Sequence, residues 1–164
     1  MSSSLTAFLP ELVLLAGALA LFGLTLGSSV RQAKIASLVT AAAFIAAVLF
    51  SFGTQATLFA GAYRVDAFSQ LFKLILGIGY IIVLLLGRGL DDIREDIRAE
   101  YFLFLSLGIC GLTFLFSSIE IITVVISLEL SSYPLYLMVA MRREREGQRV
   151  QMESAIKYMM FGIS

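Results

Sequence analysis

Five runs of the chain are apolar for about the length that a helix needs to cross a bilayer: Leu5 to Leu26, Ile35 to Phe52, Ala67 to Leu86, Tyr101 to Ser118 and Ile119 to Met141. A hydrocarbon core about 30 Å thick takes roughly 20 helical residues. Because lipid offers the backbone no hydrogen-bond partners, such runs must be helices or strands of a closed barrel. These lack the regular ten-residue alternation of barrel strands, so the expected fold is all-α, a polytopic transmembrane helix bundle. A sixth apolar run starts near Met152 and reaches Ser164 after about half of a crossing. The reading for residues 1–164 is one membrane-domain fragment, with five complete transmembrane helices and the start of a sixth, belonging to a longer protein.

Basic residues set the expected orientation. Arg31 and Lys34 lie between the first two runs, Arg88, Arg94 and Arg98 in the third loop, and Arg142, Arg143, Arg145 and Arg149 in the fifth; the second loop has only Arg64 and the fourth turn none. Nine against one across short loops puts the odd-numbered loops in the cytoplasm and the N-terminus outside. The opening "MSSSLTAFLPE" lacks a basic n-region, so the first run reads as a retained helix. The third loop, "GRGLDDIREDIRAE", reads as a solvated helical connector, while the second, "GTQATLFAGAYRVD", carries no recognisable chemistry.

Composition narrows the chemistry further. With 12 basic and 12 acidic residues there is no nucleic-acid footprint. One cysteine, Cys110, and no histidine leave neither a disulfide framework, a His/Cys metal site nor a His-based triad, so proton chemistry falls to carboxylates, lysines and hydroxyls.

Most charges within the apolar runs have structural readings. Glu11 follows Pro10, which suits a first helical turn facing the positive end of the dipole. Ser117 and Glu120 have capping-box spacing, and Lys73, two turns into the third run, can snorkel outward. Glu129 has no such exit: it lies about 10 residues, or ~15 Å, from either end of its run. A charge there costs at least ~2.5 kcal/mol on insertion scales, and the default reading is functional. Ser132, Tyr133 and Tyr136 follow at i+3, i+4 and i+7, and Pro134 frees the carbonyl of Leu130. Lys157 stands one turn after Glu153, a pairing that can serve only to neutralise both, yet its helix runs on into apolar sequence and suits a proton path as well.

"LELSSYPLYLMVAMRRER" followed by "ESAIKYMMFG", with "LPEL", "VDAFSQLFK" and "AEYFLFLSLGICGL" upstream, resembles the subunit N (subunit 2) family of the proton-pumping NADH:quinone oxidoreductases, respiratory complex I. The resemblance covers the whole chain and fits subunit N better than its antiporter-like sisters L and M. It implies the N-terminal part of an antiporter-like subunit, multi-pass in a bacterial-type inner (plasma) membrane. It also implies that Glu129 pairs with a lysine of a seventh helix in a membrane proton path, and it matches Lys157 to the lysine of the family's sixth-helix "KY" segment. That seventh-helix lysine has no counterpart in these 164 residues. The function implied is a proton-translocating subunit of an enzyme complex, driven by quinone reduction elsewhere. Other complex I membrane subunits and the bilayer are the expected partners. No Gly-rich nucleotide loop or cluster-binding cysteine set is present, so no cofactor is expected in this chain, and NADH, flavin, iron-sulfur clusters and quinone fall to partner subunits. The alternatives are a stand-alone or hydrogenase-linked cation/proton antiporter subunit and a non-transporting scaffold.

Overall fold

The computed structural model describes residues 2–27, 29–87, 90, 93, 95–141 and 148–163. Helices dominate: α1 (Ser2–Ala7), α2 (Leu9–Thr25), α3 (Val30–Phe50), α4 (Ala67–Leu86), α5 (Arg98–Ser117), α6 (Ile121–Ala140) and α7 (Gln148–Ile163). Between α3 and α4 lies a small antiparallel hairpin, β1 (Ala56–Leu58) paired with β2 (Tyr63–Val65). The chain is an all-α transmembrane bundle, and α3, α4, α5 and α6 are each long and apolar enough to cross a membrane. The first apolar run is not one straight span. It divides at Phe8 into α1 and a 17-residue α2, with Pro10 in the opening turn of α2 where its missing N–H costs nothing.

Helix starts follow local side-chain chemistry, though not always where spacing suggested. Ser29 and Gln32 form a reciprocal capping box at α3, which therefore takes in Arg31 and Lys34, and Asp66 and Ser69 form another at α4. The Ser117–Glu120 box does not form. Ser117 closes α5, and Glu120 precedes α6 without a capping hydrogen bond from its side chain. The reason is competition from the hairpin: Tyr63 bridges to Ser118, and the Ile119 N–H donates to the Ala62 carbonyl, which draws residues 118–119 into an extended path. Part of the third-loop connector, including Arg88 and Arg94, lies outside the described residues, as do Arg142, Arg143 and Arg145; the rest runs through a 3-10 turn at Glu95–Ile97 into the start of α5.

The core gathers Leu14 and Leu21 of α2, Phe44 and Val48 of α3, Tyr80 and Leu84 of α4, and Phe102 and Cys110 of α5. Helix α5 is central, packing on α2, α3, α4 and α6, while α7 lies against α6. Without a hydrophobic driving force between helices in lipid, such seams depend on close backbone approach. At the α5–α6 seam a Cβ on Gly111 would stand 2.4 Å from the Ser131 amide nitrogen, so only glycine fits. The hairpin closes one end of the bundle. Its turn holds Phe59 (φ 54°) and Ala60 (φ 56°) in the left-handed region, which costs a non-glycine residue about 1–2 kcal/mol. The Phe59 ring offsets part of this by packing edge-on against Phe8 and Tyr63, with centroids 5.7 and 6.1 Å away.

Candidate functional site

Helix α6 places Glu129 beside, not within, its seam with α5. Ser127, Ser131 and Pro134 are the buried residues on the α5 side, whereas Glu129 is only half-buried, between exposed Leu128 and Leu130. Tyr133, one turn on, interacts with its carboxylate, and Ser132 is half-buried nearby. Tyr136 takes a different course. It is buried against α7, its ring edge-on to Tyr158 at 5.4 Å and its hydroxyl where a side chain on Gly162 would have to sit. Of the three hydroxyls expected around Glu129, Tyr133 is near enough to feel its charge, and Tyr136 belongs to the α6–α7 contact. Lys157 is engaged elsewhere: its Nζ lies 2.7 Å from Glu153 Oε1, both side chains being more than 60% exposed. That is the neutralising pair its spacing suggested, and at this exposure it adds little stability.

A second constellation combines residues that the sequence reading had kept apart. Glu11 of α2 and Lys73 of α4 are both fully buried, with Nζ 2.5 Å from Oε1. Lys73 therefore does not snorkel outward, and Glu11 does more than face a helix dipole. Tyr63, from the hairpin to which no chemistry had been assigned, donates its hydroxyl to the same Glu11 oxygen, and Lys73 Nζ lies 3.5 Å from that hydroxyl and 5.4 Å from the ring centre. Burial and then the Glu11 charge hold the Tyr63 hydroxyl well above its ordinary pKa, so it stays a donor. Phe8 and Phe114 pack on the Tyr63 ring and shut water out. Glu11 Oε2 is buried without a hydrogen-bond partner among the described residues.

No protein-family model matches the chain. NADH-quinone oxidoreductase subunit N 2 of Opitutus terrae is 62% identical over 163 residues, 99% of this chain and 34% of the relative. Subunit N 2 of Syntrophobacter fumaroxidans is 40% identical over 159 residues, 96% of this chain and 33% of the relative. This chain is subunit N-like along its length. A chain of respiratory complex I from Thermus thermophilus with bound aureothin superposes with a TM-score of 0.76 at 28% identity, covering 92% of this chain and 32% of that one. The subunit N-like chain thus spans about a third of the length of the curated relatives it matches, and its helices share the fold of about a third of that complex I chain.

Proposed function

We propose that this subunit N-like chain forms part of a proton-translocating membrane subunit of an NADH:quinone oxidoreductase, in which Glu129 carries protons driven by quinone reduction elsewhere in the complex. The observation that carries the proposal is a carboxylate in the middle of a membrane-length helix, set off the α5–α6 seam and so open to a further helix, in a chain 62% identical to a subunit N. Lys157, now paired with Glu153, is a later station on the same path, reached when that exposed pair parts. NADH, flavin, iron-sulfur clusters and quinone belong to partner subunits, and the bilayer is bacterial-type. The full-length protein, tagged and extracted in mild detergent, is expected to co-purify with NADH-oxidising, quinone-reducing activity. Its isolation free of that activity, together with cation/proton exchange in liposomes, would instead establish the antiporter reading.

The orientation proposed is N-terminus outside, which also places the hairpin and the α5–α6 turn on the outer face, since the two are hydrogen-bonded together. In intact cells a membrane-impermeant thiol reagent is expected to label Ser2→Cys and to miss Arg145→Cys. Labelling of Arg145→Cys from outside would reverse the topology.

A further inference from the structure

The Glu11–Lys73 pair is larger in consequence than a helix bolt requires. Replacing a buried ion pair by apolar residues of similar volume is often neutral or stabilising, so packing alone gives no reason to bury two charges. Three features of the site are those of a proton-transfer station. Both partners can carry a proton, and they sit in contact. Glu11 Oε1 is occupied by Lys73 and Tyr63, but Oε2 is sealed from the surface and unpartnered among the described residues, which leaves a position for an incoming proton. Asp66, at the start of the same helix as Lys73, is its electrostatic neighbour and also lines an open polar hollow on the hairpin with Gln55, Thr57 and Arg64, to which it is ion-paired at 3.3 Å. Among the described residues, the titratable groups facing the pair are Tyr63 from the hairpin, Asp66 from the start of α4 and Cys110 from α5.

We propose that Glu11 and Lys73 form a proton-relay site at the hairpin end of the bundle, separate from Glu129, which passes protons between the buried side of Glu11 and the hollow at Asp66, with Tyr63 as its gate. A proton arriving on Oε2 neutralises Glu11 and leaves the Lys73 ammonium uncompensated in a dry site. Lys73 then releases a proton toward Asp66 and the hollow, and transfer of the first proton from Glu11 to Lys73 restores the ion pair. One proton enters and one leaves in each cycle, so the site returns to its starting charge. Tyr63 holds the closed state by donating to Oε1, and rotation of its O–H off that oxygen opens the relay while the ring stays packed between Phe8 and Phe114.

The relay extends the proton-translocating reading, but its test does not require NADH. Membranes carrying the full-length protein are subjected to a pH jump and followed by time-resolved infrared difference spectroscopy. A transient protonated-carboxyl band is expected in the wild type, absent in Glu11→Gln and in Glu11→Gln/Lys73→Met, and retained in Glu129→Gln. Tyr63→Phe, lacking the gating hydrogen bond to a charged acceptor, should bring the band up about tenfold faster. The double variant guards against misfolding, because it removes both charges together. No Glu11-dependent band in the wild type, or the same rise time in Tyr63→Phe, overturns the relay and leaves a static ion pair. Failure of the Glu129 reading alone would not touch this signal.

Discussion

Glu129→Gln in the full-length protein is expected to cut proton release driven by NADH oxidation on the order of tenfold or more, while the complex still assembles and binds its other subunits. Glutamine keeps the size and one hydrogen-bonding oxygen of glutamate but cannot take up a proton, and removing a group that shuttles protons ordinarily costs 10²–10⁴-fold in a step that depends on it. Because Glu129 is half-buried beside the α5–α6 seam, the substitution disturbs no core packing. The measurement is acidification of inverted membrane vesicles on NADH addition, normalised to the amount of assembled complex. Proton release equal to wild type would reduce Glu129 to a packing residue and favour the scaffold reading.

Lys73→Met is expected to destabilise the protein by about 3–5 kcal/mol, since it strands the fully buried Glu11 carboxylate without its counter-ion. Glu11→Gln/Lys73→Met removes both charges and should recover most of that loss, because the remaining side chains pack without an orphaned ion. Thermal unfolding of the detergent-solubilised full-length protein reads both effects. A single variant as stable as the wild type would mean that the pair is hydrated in the membrane. A double variant as unstable as the single one would mean that the loss comes from packing.

The apolar runs made the bundle legible, since lipid permits little else for segments of that length, and α3 to α6 appear where those runs were drawn to within a few residues. Boundaries slipped where polar side chains compete for the backbone. Ser29 draws α3 back over Arg31 and Lys34, and the hairpin draws Ser118 and Ile119 out of the following helix. Glu129 could be picked out because mid-run isolation shows in one dimension. The Glu11–Lys73 pair could not be seen that way, because its partners come from different runs and each has a local excuse near a helix end. One signal was nevertheless present in the sequence. Helices α2 and α4 both start at the hairpin end of the bundle, so a carboxylate in the first turn of one and a lysine two turns into the other can meet. Tyr63 had no signal at all, because a tyrosine in a Gly- and Thr-rich loop does not reveal that the loop folds back over the bundle.

The order of synthesis gives the buried pair another consequence. Ribosomes deliver α2 before α4 exists, so Glu11 reaches the translocon while Lys73 and Tyr63 have yet to be made. A lone carboxylate costs about 2.5–3.5 kcal/mol at a helix centre on translocon scales and less in a first turn, where Glu11 stands, so its counter-ion still favours insertion. The expected result is a first helix that stays beside the lateral gate until α4 supplies the ammonium. Site-specific crosslinks from α2 to the translocon in ribosome-stalled chains should persist at lengths ending before Lys73 and disappear at lengths that expose it.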